Sequence, residues 1–169
     1  MGGARSGKSR LAERLITASA RPRSYIATAQ AFDAEMDARI TQHRTDRGPD
    51  WHTIEAPTDI ASALASCDPA SAVLIDCATL WLSNMLLAGQ DLDAASESLV
   101  QSLTSHPAPI VIVSNEVGWG IVPENALARQ FRDAQGRLNQ QIAACAGRVI
   151  GVMAGLPFAL KGPLPEAAL

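Results

Sequence analysis

Short apolar runs alternate along the chain with stretches whose apolar residues recur every third or fourth position. The runs "SYIAT" (24–28), "SAVLID" (71–76), "PIVIVSNE" (109–116) and "RVIGVMAG" (148–155) have the length and β-branched content of buried strands, and "WHTIE" (51–55) reads as a shorter one. Helical periodicity predicts helices over 9–18, 33–44, 59–65, 79–88, 92–103 and 123–146. Pro123 and Glu124 suit the first turn of the last helix, and Gly147 closes it. Strand and helix in alternation predict an α/β fold, a mainly parallel sheet with helices on both faces. No repeat or linker interrupts the pattern, so residues 1–169 are expected to form a single domain, with 162–169 as a loosely ordered tail.

Composition narrows the function classes. A net charge of −3 gives no basic footprint for nucleic acid, and no apolar run is long enough to span a bilayer. With no secretion leader in sight, a cytoplasmic location is expected. Cys67, Cys77 and Cys145 are odd in number and lack metal-ligand spacing, so they read as reduced, mostly buried thiols.

Chemistry begins at the first residues, "MGGARSGKS". Gly2, Gly7, Lys8 and Ser9 match the Walker A pattern at every fixed position, and Gly3 adds a second glycine. Such a loop turns backbone N–H groups inward onto an anion at the start of a helix whose dipole favours negative charge. Lys8 is placed to reach the outer phosphates and the Ser9 hydroxyl to hold Mg2+. The chain has twelve arginines but only two lysines, Lys8 and Lys161, so the lysine at the position that needs one is informative. A P-loop NTPase-like fold delivers this loop from a central strand, which is apparently missing ahead of Met1; an upstream start is therefore expected.

The run "AVLIDC" ends a buried strand on Asp76, at the edge where open parallel sheets bind ligands. That is the Walker B layout, with Asp76 helping to hold Mg2+. A helix cap before "CATLWL" is the plainer alternative. In "AFDAEMDARITQHRTDRGPDW", Phe32, Met36, Ile40 and His43 share one helical stripe, which taken alone suits a core histidine. Arg39, Arg44 and Arg47 around it, and the helix-breaking residues beyond, place His43 to meet phosphate instead. A neutral imidazole there can attack phosphorus, while arginines stabilise the departing charge. His52 and His106 lack such neighbours. In "SNEVGWGIVPEN", Asn115 and Glu116 follow a strand, and Trp119 between two glycines reads either as core or as an apolar face for a large substrate.

Together, "GGARSGKS", "YIATAQAFDAEMDARITQHRTDRGPDW", "VLIDCATLWLSNML" and "SNEVGWGIVPENALARQFRDAQGRLNQ" resemble the bifunctional adenosylcobinamide kinase and adenosylcobinamide-phosphate guanylyltransferase family of cobalamin biosynthesis, in order from Gly2 to about Lys161. The resemblance implies two steps. ATP or GTP first phosphorylates the aminopropanol hydroxyl of adenosylcobinamide. A histidine, by position His43, then takes GMP from GTP and passes it to adenosylcobinamide phosphate, giving adenosylcobinamide-GDP and pyrophosphate. Nucleotide contacts carry over to Gly2, Gly3, Ala4, Arg5, Ser6, Gly7, Lys8 and Ser9, to Ala27, Thr28 and Ala29, to Arg44, Thr45, Asp46 and Arg47, and to Glu55 and Cys77. Lys8 joins His43 as catalytic, Ser9 and Asp76 hold Mg2+, and a homotrimer is implied. Glu55 is placed to read the guanine edge, with an ordinary strand-end glutamate as the alternative. Asp46, Asp76 and Glu116 are candidates for the base that deprotonates the acceptor.

Three other classes compete. A GTPase switch needs an Asn-Lys-x-Asp motif, which the chain lacks, and Asp133 to Gly136 lies inside a helical pattern. A simple small-molecule kinase shares Walker A and leaves His43 unmodified. An inactive binding or assembly subunit fails to bind GTP at all.

Overall fold

The computed structural model describes residues 1–31 and 34–168; the side chains of residues 35–37, 39, 40, 43 and 46 lie outside that description. Strands β1 (Arg23–Ala27), β2 (Trp51–Glu55), β3 (Ala72–Asp76) and β4 (Ile110–Val113) form a parallel sheet in the order β2-β1-β3-β4. The near-continuous apolar sequence of β3 follows from burial on both faces, whereas the edge strand β2 is only half-buried. Alternate residues serve opposite layers. Ile26, Val73 and Ile75 pack against α3 (Ile60–Ser66), α4 (Ala78–Leu87), α5 (Leu92–Ser105) and α6 (Ala126–Cys145). Tyr25, Leu74 and Val113 face Ala12 and Ile16 of α1 (Lys8–Thr17). Leu74 and Ile75 are fully buried on opposite sides, each worth about 1.5–3 kcal/mol relative to exposure.

Local chemistry sets the helix ends. Asp59 caps α3 through Ser62 N–H, and Asp91 caps α5 through the N–H groups of Asp93 and Ala94. The last helix begins later than the sequence pattern suggests. Asn125, rather than Pro123 or Glu124, starts α6 by accepting from Leu127 and Ala128 N–H, and Arg129 reaches back to the carbonyls of Pro123 and Glu124. The helix α2 (Ala34–Arg47) continues one turn past Arg44 before Gly48, at φ 77°, turns the chain.

"RVIGVMAG" departs from expectation more clearly. Its strand β5 (Val149–Met153) is outside the parallel sheet and pairs antiparallel with β6 (Leu156–Lys161), which the sequence pattern did not predict. Ala154 and Gly155, with φ 52° and 80°, make the two-residue connection that such a hairpin requires. Phe158 covers Gly151, where a Cβ would sit 2.3 Å from the ring. Between β4 and β5, Met1 O accepts from Val152 N–H at 2.8 Å, and Gly2 O accepts from Glu116 N–H at 3.2 Å. Gly2 also bridges to Asn115 in parallel register. Beside these contacts lies an apolar cavity of about 630 Å3 lined by Ile112, Ile142 and Ile150.

Of the tail expected to be loosely ordered, the described residues end in contacts at Ala168. A 3-10 turn at Glu166–Ala168 buries Ala168 against Leu11 and Val152, and Arg14 Nη2 donates to its carbonyl at 3.1 Å. Of the three free thiols, Cys67 and Cys77 are buried and Cys145 is exposed. Among the described residues, no helix is long and apolar enough to cross a membrane.

Candidate active site

The glycine loop meets the sheet at its C-terminal edge. Gly7, at φ 95°, turns the chain into α1 through the left-handed region, where a side chain is strained. Gly2 has a different constraint, since a Cβ there would lie 2.4 Å from the Val152 carbonyl oxygen. Lys8 follows at the first position of α1, and its Nζ donates to Gly3 O at 3.2 Å, across the loop it serves.

Strand register builds the floor. Ala27 is paired with Glu55 on one side and Asp76 on the other, so these three residues form one row across β2, β1 and β3. Two residues earlier, Tyr25 pairs with Thr53 and projects from the same face, the face that α1 covers. Lys8, Ser9, Tyr25, Glu55 and Asp76 thereby line one cavity of about 870 Å3. Thr41, Arg44 and Arg47 of α2 line it from above, and Asn115 and Glu116 after β4 complete its rim.

Side-chain contacts lock this arrangement. The Thr28 hydroxyl donates to Cys77 O at 2.8 Å and accepts from Cys77 N–H at 2.7 Å, pinning the end of β1 to the corner after β3. Cys77, not Asp76, caps α4: its Sγ accepts from Leu80 N–H at 3.4 Å. Asp76 is therefore spared the capping role. Burial, with the Asp76 charge second, pushes the Cys77 thiol's pKa up, so it stays protonated and is no nucleophile at neutral pH. Tyr25 Oη donates to Asp76 Oδ2 at 3.1 Å, and the Arg47 guanidinium lies 3.4 Å from the centre of the Tyr25 ring. Burial first and the Asp76 charge second push the Tyr25 hydroxyl far above its ordinary pKa, so it remains a donor.

The model of the family described as cobinamide kinase / cobinamide phosphate guanyltransferase matches residues 1–160. The chain belongs to that family. Similar proteins include the bifunctional adenosylcobalamin biosynthesis protein CobP of Pseudomonas aeruginosa, 49% identical over 96% of this chain and 95% of the relative. The bifunctional adenosylcobalamin biosynthesis protein CobU of Escherichia coli is 42% identical, over 95% of this chain and 97% of its own. Its namesake in Salmonella typhimurium matches at the same identity and coverage. The parallel sheet flanked by helices, with a Walker A loop at its edge, is the P-loop NTPase-like fold expected of this cobinamide kinase and guanylyltransferase.

Within this family member, the residues expected at the site divide into three groups. Ala4, Lys8, Ser9, Ala27 and Ala29 line the cavity. So do Arg44, Arg47, Glu55, Asp76 and Cys77. Gly2, Gly3, Arg5, Ser6 and Gly7 shape the loop without lining it, Thr28 is buried beneath the floor, and Thr45 donates to Thr41 O and borders a smaller neighbouring cavity. The backbone of positions 43 and 46 is in α2, but the side chains of His43 and Asp46 lie outside the described residues, as do those of Met36 and Ile40 and the whole of Phe32. Trp119 is 76% exposed and is not core. His106 is structural, accepting from Ala108 N–H and bonding Leu64 O. Sequence reading missed Tyr25 and Thr53. Period-two alternation back from Ala27 and Glu55 is the signal that finds them.

Ser9 and Asp76 are hard oxygen donors on one wall of the cavity, the donor chemistry Mg2+ takes alongside substrate phosphates.

Proposed function

We propose that this enzyme phosphorylates adenosylcobinamide with ATP or GTP and then transfers GMP from GTP to adenosylcobinamide phosphate through a guanylyl-histidine at His43. The observation that carries this reading is the shared cavity: the Walker A lysine and the arginine-bearing face of α2 line the same space. A kinase alone has no use for a histidine helix over its P-loop, whereas an enzyme-bound nucleotide requires a nucleophile there.

In the kinase step, the glycine-loop N–H groups and Lys8 hold the triphosphate while the acceptor hydroxyl oxygen attacks the γ phosphorus. The bond from that phosphorus to the β-phosphate oxygen breaks, the nucleoside diphosphate leaves, and the hydroxyl proton passes to one of the candidate carboxylates, Asp46, Asp76 or Glu116. In the second reaction, an imidazole nitrogen of His43 attacks the α phosphorus of GTP. The P–O bond to the β phosphate breaks, and pyrophosphate leaves with charge that Lys8, Arg44 and Arg47 offset. A phosphate oxygen of adenosylcobinamide phosphate then attacks the same phosphorus, the P–N bond breaks, and His43 is regenerated. Ser9 and Asp76 would hold Mg2+, which would further neutralise phosphate charge. Glu55, exposed at the cavity rim, is the acceptor offered to the N–H groups of guanine.

Peptide mass spectrometry after incubation with Mg2+ and GTP tests the reading. The expected result is a guanylyl adduct on the peptide containing His43, discharged by adenosylcobinamide phosphate. Nucleotide binding without an adduct would instead leave a simple kinase.

Trp119, between Gly118 and Gly120, offers its exposed ring to the corrinoid. Trp119→Ala is expected to raise the KM for adenosylcobinamide about tenfold, as loss of one large apolar contact does, with KM for GTP unchanged. An unchanged corrinoid KM removes Trp119 from the binding surface. We further propose a homotrimer in the cytoplasm. Leu156, Phe158 and Leu160 on β6 are exposed, an apolar surface that association covers, and the three free cysteines suit a reducing compartment. Light scattering at micromolar concentration is expected to give three chain masses; a single chain mass would rule the trimer out.

A further inference from the structure

We propose that Tyr25 is a positioning residue that fixes the Asp76 carboxylate and the Arg47 guanidinium relative to one another, making the metal-binding end of β3 and the histidine-bearing helix a single unit. The proposal rests on the guanylyl-histidine reading for its second half, and on the metal role of Asp76 for its first.

Tyr25 is only 6% exposed and makes two directional contacts with groups from different elements. Its hydroxyl donates to Asp76 Oδ2, which restrains the rotation of a carboxylate that lines the cavity. Its ring face carries Arg47, a cation stacked over the negative face of the π system. Trp51 holds the ring from the side in an edge-to-face pair, with centroids 6.1 Å apart and planes at 87°, and Arg23 lies 6.0 Å from the Trp51 ring. The Tyr25 side chain is therefore fixed by packing before either partner engages it.

The two contacts have separable consequences. Loss of the hydroxyl frees the carboxylate to rotate but leaves the platform under Arg47. Loss of the ring also releases the C-terminal end of α2. Position 43 is one helical turn before Arg47, on the same side of that helix, so release of Arg47 loosens the placement of the histidine over the phosphates. Neither change touches the P-loop. Tyr25 thus works through Asp76 and Arg47 and not on the nucleotide itself.

The test compares Tyr25→Phe and Tyr25→Leu with the wild-type chain by titrating MgCl2 in both reactions, with thermal melts as a folding control. Tyr25→Phe is expected to raise the Mg2+ concentration for half-maximal kinase rate about tenfold, the usual scale for a lost carboxylate-orienting hydrogen bond, with the rate recovered at saturating Mg2+. Tyr25→Leu is expected to show the same Mg2+ shift plus a further fall of about tenfold or more in adduct formation that Mg2+ does not rescue. If Tyr25→Leu does not fold, Tyr25→Met supplies the second comparison, removing the ring under Arg47 while leaving the Arg47 charge in place: adduct formation should fall below the Tyr25→Phe rate with the same Mg2+ midpoint. An unshifted midpoint in Tyr25→Phe overturns the Asp76 half. Equal adduct rates in Tyr25→Phe and in Tyr25→Leu or Tyr25→Met overturn the α2 half. A wild-type chain that forms no adduct defeats the histidine reading, and the kinase titration then still decides whether Tyr25 positions Asp76.

Discussion

With His43→Ala, guanylyl transfer is expected to stop while phosphorylation of adenosylcobinamide continues. The variant should form no adduct with GTP, and adenosylcobinamide-GDP production should fall by roughly 10^4-fold or more, the scale seen when a covalent nucleophile is removed. That corresponds to about 5.5 kcal/mol of lost transition-state stabilisation. The kinase rate should stay within about threefold, because direct transfer of the γ phosphoryl group to a hydroxyl needs positioning and charge but no nucleophilic side chain. Chromatographic separation of adenosylcobinamide phosphate from adenosylcobinamide-GDP reads both outcomes in one assay. Persistence of the adduct at another residue would move the nucleophile elsewhere. A parallel loss of both activities would make position 43 structural, a part of the apolar stripe it shares with Ile40 and Met36.

Lys8→Ala is expected to impair both reactions together. In the fold, Lys8 opens α1 at the cavity wall, with its amine across the loop from the Gly3 carbonyl. From there it can offset charge on a departing nucleoside diphosphate and on departing pyrophosphate alike. Removing one such preorganised group typically costs about 10^2–10^3-fold in kcat. Steady-state rates of phosphorylation and of GTP-dependent pyrophosphate release should fall together. A kinase-only defect would mean that the α phosphorus is attacked while the triphosphate lies outside the loop, which would separate the two subsites in space.

The parallel sheet was legible because strands buried on both faces carry apolar residues at every position, and "AVLID" or "IVIV" can hardly be anything else. The hairpin was not. β6 has Pro157 near its start and mostly exposed residues along its length, so "LPFALK" offers neither a continuous apolar run nor a clean alternation. Its turn uses Ala154 where asparagine or aspartate would have announced a two-residue connection. The site divides in the same way. Lys8, Ser9 and Asp76 are marked by local motifs whose chemistry depends on neighbours in sequence. Tyr25 and Thr53 matter because of register, a property of two strands at once, and within "SYIAT" the tyrosine looks like any other strand aromatic. Cys77 belongs between these cases: the cap that stood as the alternative reading of Asp76 exists, displaced by one residue from the carboxylate to the thiol.

The glycine loop hangs from main-chain atoms at each anchor: the Met1 carbonyl on Val152 N–H, the Gly2 carbonyl on Glu116 N–H and the Ser6 carbonyl on Gly155 N–H. Evolution can therefore exchange side chains along the neighbouring strands without moving the phosphate cradle, because no side chain supplies those bonds. Substitutions at wall residues such as Arg44, Glu55 or Glu116 leave those three bonds in place. Substrate preference can change over a lineage while the phosphorus chemistry stays where it was.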